Sequence, residues 1–143
     1  MIKLTRIKVG SEGQELSADA TDWVATKFPE LDIMVARGNL SDKQLGGKAT
    51  DAALAKFRLA GFDNWREPEL IESQIIIDTT RYNPACDPEF FSDTRSDWYR
   101  TSTACPWSPG RVFFVSFYGG SVGYDGRNDE AFCRPVRSLV SGQ

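Results

Sequence analysis

The closing stretch of the chain begins Trp98-Tyr99-Arg100-Thr101-Ser102-Thr103 and passes through Val112-Phe113-Phe114-Val115-Ser116-Phe117. It ends on Phe132-Cys133-Arg134-Pro135-Val136-Arg137. Aromatic and β-branched residues are dense there, and such residues suit the pleated, half-buried surface of a sheet. The spacing predicts short strands over Thr101 to Thr103, Arg111 to Tyr118, Ser121 to Tyr124 and Ala131 to Val136, read as a closing antiparallel meander. Tyr118 to Glu130, which contains the third of these strands, is a Gly/Tyr/Asp-rich stretch whose residues suit an exposed insert.

Upstream, Ile2 to Val9 alternates as a strand and Gly10 to Gly13 breaks it in a polar turn. Lys3, Arg6 and Lys8 are expected on that strand's solvent face. Trp23-Val24-Ala25 and Leu31-Asp32-Ile33-Met34-Val35-Ala36, separated by Phe28-Pro29-Glu30, fit an early hairpin. Ala49, Ala52, Ala53, Phe57 and Leu59 recur near the helical period, predicting a first helix from Lys48 to Leu59 with Gly61 as its stop. Pro68 suits the first turn of a second helix, with Glu69 and Glu72 near its positive end and Leu70, Ile71, Ile75 and Ile76 as its buried face. Asp78 to Asp97, with Asn83-Pro84 and Asp87-Pro88, reads as an ordered irregular loop. Strands, two helices, a long loop and a closing meander make an α+β class and a single domain over residues 1–143.

Composition narrows the function. The 143 residues carry 41% hydrophobic and 26% charged side chains, which suits a soluble globular domain. A formal net charge of −3 argues against the basic surface that dominates nucleic-acid affinity, so nucleic acid is not an expected partner. No run approaches the ~20 apolar residues of a membrane span, and the N-terminus lacks the apolar core of a secretory signal. The chain as given is expected to be soluble, and either cytosolic or exported by another route, such as within a particle. Histidine is absent, which removes Ser-His-Asp and Cys-His nucleophile activation and His-ligated metal sites. Cys86, Cys105 and Cys133 are odd in number and are expected as buried free thiols.

Tyr118, Ser121, Tyr124, Asp125, Arg127, Asn128 and Asp129 mix rigid aromatics with adaptable hydrogen-bonding groups, the chemistry that paratopes use. Trp98, Tyr99, Arg100 and Trp107 are expected to extend the same face. Arg66, Arg134 and Arg137 instead read as structural ties, because a guanidinium in a fixed setting forks to carboxylates and carbonyls.

Four motifs in order carry a family resemblance. They are Trp65-Arg66-Glu67-Pro68-Glu69, Asn83-Pro84-Ala85-Cys86-Asp87, Tyr99-Arg100-Thr101-Ser102-Thr103 and Cys133-Arg134-Pro135-Val136-Arg137, with Gly61-Phe62-Asp63-Asn64 as lead-in. From about Trp23 to Ser138 the chain resembles the Lcl C-terminal domain-like family of bacterial and phage proteins, whose pattern is Trp-Arg-Leu-Pro-Thr, Asn-Pro-Ala, Tyr-Trp-Ser-Ser-Thr and Val-Arg-Pro-Val-Arg. The resemblance implies a C-type-lectin-like fold, with two helices flanking small twisted antiparallel sheets and long irregular loops presenting a ligand face. The chain looks most like phage and prophage members. It departs from the pattern where Glu67 replaces an apolar Leu, Glu69 a capping Thr and Arg100 a Trp.

The function expected on these grounds is a non-enzymatic phage or prophage binding module that recognises a protein or glycan through its C-terminal loops, in one version virion-associated. The alternative is an accessory protein that inhibits a host defence complex by protein–protein binding. A cysteine-dependent enzyme of formylglycine-generating-like fold is a third class, but the family's active-site motif is missing. Glu67-Pro68-Glu69 superficially resembles a lectin calcium loop, with Asn128-Asp129-Glu130 as partner, yet the glutamates stand in the family's helix-start motif. No cofactor or metal is expected.

Overall fold

The computed structural model of the protein describes residues 4–139. Two antiparallel sheets share the core. The first takes its strands from both ends of the described chain: β1 (Ile7–Val9), β2 (Ala25–Phe28), β3 (Ile33–Ala36) and, from the far end, β7 (Val136–Ser138), in the order β1-β2-β3-β7. The second is the meander β4 (Trp98–Ala104), β5 (Arg111–Ser116) and β6 (Val122–Gly126). Between them in sequence lie α1 (Gly47–Lys56), α2 (Leu70–Ile75) and α3 (Pro88–Phe91). The α+β class and the small antiparallel sheets follow the expectation.

The early hairpin is present, with Phe28 inside β2 rather than in the turn. Pro29 opens a 3₁₀ turn where its missing N–H costs nothing, and Asp32 adopts a left-handed φ of 54° that returns the chain into β3. The first strand is shorter than expected and begins at Ile7; Ile2 and Lys3 lie outside the described residues. Lys8 is not on a solvent face. It is buried, its Nζ donates to the Ala20 carbonyl at 2.9 Å and lies 4.0 Å from the centre of the Trp23 ring. The cation is satisfied by a carbonyl and an indole, so its four-carbon stem can cover apolar surface. Arg6 stays exposed and pairs with Asp87 at 3.0 Å.

The first helix buries Gly47, Thr50 and Leu54, and Ala49 and Ala52 face solvent. Alanine favours helix without needing burial, so its period marked the element but not its inner face. The chain leaves α1 at Phe57 and turns through Ala60 and Gly61, both at positive φ. The second helix begins two residues after Pro68, at Leu70. Glu69 is its N-cap, the Glu69 N–H donates to the Glu72 carboxylate at 2.8 Å, and the Leu70 N–H donates to Thr103 Oγ1 at 2.9 Å. A strand hydroxyl therefore caps a helix more than thirty residues away in sequence. Ile76 is buried, but Ile71 is exposed, because a six-residue helix presents one short stripe to the sheet. The Asp78 to Asp97 segment is irregular except for α3, which sets Phe90 and Phe91 into the core.

The last strand departs most from expectation. It leaves the meander and pairs with β3, as Val35↔Val136, Met34↔Arg137 and Ile33↔Ser138. The segment entering it stitches both sheets. Phe132 exchanges backbone hydrogen bonds with β4, donating to Trp98 at 3.0 Å and accepting from Arg100 at 3.0 Å. The Cys133 and Pro135 carbonyls then accept from Leu40 and Ala36 at 2.8 and 2.9 Å. Pro135 has no N–H to offer a ladder, and the switch between sheets occurs there. Phe28, Val35, Phe91, Tyr99, Val115, Phe117, Phe132 and Val136 form one apolar cluster across the junction.

Arginines hold this crossing, as expected. Arg134 is buried, donates to the Ala36 and Arg37 carbonyls at 3.1 and 2.8 Å and to Thr94 Oγ1, and lies 5.3 Å from the Phe91 ring. Arg66 forks onto Glu72 at 2.8 and 2.9 Å while its backbone pairs with Val136. Arg137 donates to Asn64 Oδ1 at 2.7 Å and stacks 3.6 Å from the Phe62 ring centre.

Arg134→Met is expected to lose about 3 kcal/mol by orphaning buried carbonyls, lowering Tm by about 10 °C in a thermal melt. Burial alone would raise the Glu72 carboxyl pKa, but the Arg66 fork and the Glu69 N–H outweigh it, and the net shift is below the usual 4.5. Glu72 therefore contributes stability that is present above 4.5 and is lost as the pH falls through the lower, folded-state value. The Tm gap between wild type and Glu72→Gln, measured from neutral pH downward, is expected to close in that acid window; a constant gap contradicts the assignment.

Candidate functional site

The pairing register of the meander sorts its side chains. Trp98 lies opposite Ser116, Arg100 opposite Phe114, Phe114 opposite Gly123 and Val112 opposite Asp125. Directly paired residues of an antiparallel sheet share a face, so Trp98, Phe114 and Asp125 stand together. Phe113 is paired with Tyr124 and belongs to the other face. The expected single surface is thus two surfaces back to back, because strand side chains alternate with a period of two.

The first surface is a cleft of about 300 Å³ lined by Trp98, Phe114, Gly123, Tyr124, Asp125, Asp129 and Glu130. Trp98 is 41% exposed, and its ring atoms lie 3.3 and 3.4 Å from where a Cβ on residue 123 would sit. Glycine at 123 is therefore what lets the indole lie close against β6. Asp125 Oδ1 accepts the Gly126 N–H at 2.8 Å. That bond, and a second one shared with Asp129, hold the Asp125 carboxyl below its ordinary pKa, while the same sharing raises that of Asp129. The two carboxylates thus perturb each other at the edge of an aromatic cleft.

The second surface carries Trp107, 64% exposed, whose ring meets Tyr124 and Phe113 edge-on at 5.5 and 5.8 Å. Tyr118 lies apart from both, beyond the far end of β5, with its ring 6.4 Å from Tyr82. Ser121 and Asn128 are exposed in the loops flanking β6.

Tyr99 and Arg100 are corrected from surface to interior, being 1% and 0% exposed. Tyr99 packs edge-on to Phe117 at 5.0 Å, its hydroxyl donates to Asn39 Oδ1 and accepts the Arg95 N–H at 2.9 Å. Arg100 donates to Thr50 Oγ1 at 2.9 Å, to the Leu45 carbonyl at 2.8 Å and to the Asp129 carbonyl. Its counter-charge is Glu67, 3.7 Å away and also buried. Arg127 turns inward as well, pairing with Glu67 at 3.1 Å and Asp51 at 2.9 Å. Burial pushes the Glu67 carboxyl above its ordinary pKa, against the pull of Arg127 and Arg100. Glu67 is therefore a structural counter-ion and is not aimed at calcium.

This ionic group docks the insert on α1. The close approach needs glycine at the helix start: a Cβ on Gly46 would lie 2.9 Å from the Asn128 carbonyl oxygen, and one on Gly47 2.7 Å from that of Arg127. Sequence reading missed Phe114, Gly123 and Glu130 as cleft residues and Asp51 as an anchor. The Phe114 and Gly123 signal is the register, invisible before pairing. For Glu67 and Arg100 a signal existed, since two departures from the family motif carry opposite charge.

Cys86, Cys105 and Cys133 are buried free thiols, and burial raises the pKa of Cys86 and Cys133. Cys86 and Cys133 therefore hold little thiolate, and all three cysteines pack as small hydrophobes. Among the described residues no three His, Cys, Asp or Glu side chains converge to hold a metal ion, and no helix is long and apolar enough to cross a membrane.

Glu67→Leu alone strands the Arg100 charge in the interior and is expected to cost about 3–5 kcal/mol. Adding Arg100→Met removes that charge, so the double variant is expected to melt above the single one; additive losses in a double-mutant cycle contradict the pairing.

No curated protein matches the chain. The sequence model of the Lcl C-terminal domain, however, matches residues 23–137, from the Trp23 that flanks β2 to the Arg137 of β7. That span takes in the hairpin, the three helices, the meander and the sheet-crossing arginines, and the chain belongs to the Lcl C-terminal domain family.

Proposed function

We propose that the protein is a non-enzymatic binding module that recognises a protein or glycan partner through its C-terminal meander. The observation that carries this reading is the Trp98 cleft. An indole is held against Gly123 over a sheet whose opposite face is anchored in the core at Val115 and Phe117, so the aromatic wall is in place before any ligand arrives. Pre-organised aromatics supply contact area at small entropic cost. Trp98, Trp107 and Tyr124 are exposed together on or beside the meander, and grouped exposed aromatics mark interaction surfaces.

Membership in the Lcl C-terminal domain family favours a binding role. The order of the motifs supports a C-type-lectin-like arrangement and a phage or prophage origin, with attachment to the virion as the setting in which a host-facing module acts. The buried, weakly acidic thiols favour this reading over a cysteine enzyme.

The immobilised chain is expected to retain a saturable partner from protein or glycan arrays. Trp98→Ala or Trp107→Ala is expected to weaken retention at least about tenfold with Tm nearly unchanged, since exposed aromatics at binding hot spots contribute upward of 1–2 kcal/mol. Retention indifferent to both variants removes the meander from the site, and turnover abolished by cysteine alkylation replaces the binding reading with an enzymatic one.

A further inference from the structure

We propose that the Trp98 cleft receives a cationic side chain, an arginine guanidinium or lysine ammonium, from a basic segment of a protein partner. This rests on the reading of the meander as a binding surface and narrows the partner from protein or glycan to protein.

Charge complementarity selects the occupant. The cleft has aromatic walls from Trp98 and Phe114 and a rim of three carboxylates, Asp125, Asp129 and Glu130, with no basic residue lining it. Two of the neighbouring cations are committed elsewhere, and a third, Arg111, acts on Asp125 without lining the cleft. Arg127 pairs with Asp51 and Glu67, and Arg100 lies buried behind the Asp129 carbonyl. Arg111, opposite Gly126, is the cation that acts on Asp125. The Asp129 and Glu130 carboxylates form no ion pair among the described residues. A cation over an indole gains from the ring's negative face, and a carboxylate rim adds charge-assisted hydrogen bonds.

Other ligands fit less well. A phosphate, sulfate or nucleic acid would meet like charge at the rim. A bare divalent ion would need converging oxygens, and the described residues hold no such set. A neutral sugar can stack on Trp98 but brings no positive charge to the carboxylates that line the cleft, whereas a guanidinium or ammonium does.

The test is an NMR titration that follows the Trp98 indole and Gly123 amide signals. The probes are a capped Gly-Arg-Gly-Arg-Gly peptide, its isosteric citrulline counterpart and a neutral chitin oligosaccharide. Saturable shifts with the arginine peptide, at least about tenfold weaker with citrulline and weaker again at high salt, are the expected result. Asp125→Asn combined with Asp129→Asn is expected to cost about the same factor, while Ile71→Ala, at an exposed position of α2 outside the meander, leaves the titration unchanged. The citrulline comparison leaves the protein untouched, so it decides even where a variant folds poorly. Equal binding of both peptides, or saturation by the oligosaccharide alone, overturns the cationic assignment and leaves the binding-module reading intact. Silence with all three probes also overturns it, and array retention lost in Trp107→Ala would still uphold the module.

Discussion

The fold depends on the burial of one guanidinium. Arg134 lies where the chain leaves the meander for the N-terminal sheet, and its donors reach the carbonyls at the end of β3 and the hydroxyl of Thr94 in the long loop. Three parts of the molecule distant in sequence therefore share one cation. Arginine suits the position because its planar fork serves several acceptors at once while its faces pack on aromatic rings, here Phe91, Tyr99 and Phe117. Lysine, with a single point of charge, cannot span that set.

A second ionic group, buried at Glu67 and Arg100 and reaching the surface at Arg127 and Asp51, shapes the candidate surface. Glu67, before α2, meets Arg100 of β4 and Arg127 of the insert, and Asp51 of α1 completes the set. These charges replace what the family pattern places there as apolar Leu and Trp. A buried pair of this kind contributes little net stability over a well-packed apolar pair, but either partner alone is costly. Arg127 joins the same group and holds the Asp125 to Glu130 turn against the helix.

The period of the strand divides the aromatics. Trp98 and Phe114 face the acidic cleft, while Trp107 stacks edge-on against Tyr124 from the opposite face, Tyr124 itself also lining the cleft. A binding surface drawn from residue types alone unites them; one drawn from register separates them into a charged cleft and an apolar patch with different chemistries.

The sequence by itself determined the class, the early hairpin, the positions of two helices, the buried state of the three cysteines and the tying role of Arg66, Arg134 and Arg137. These follow from local periodicity, turn chemistry and motif order, which a chain expresses over a few residues. Only the tertiary structure decided that β7 joins β3, that Thr50 and Leu54 rather than the alanines face inward from α1, that Lys8, Tyr99 and Arg100 are interior, and that Gly123 makes room for Trp98. Each of these depends on which distant backbone lies alongside. A polar or charged side chain is buried only when partners from elsewhere in the chain satisfy it, and no local pattern encodes their arrival.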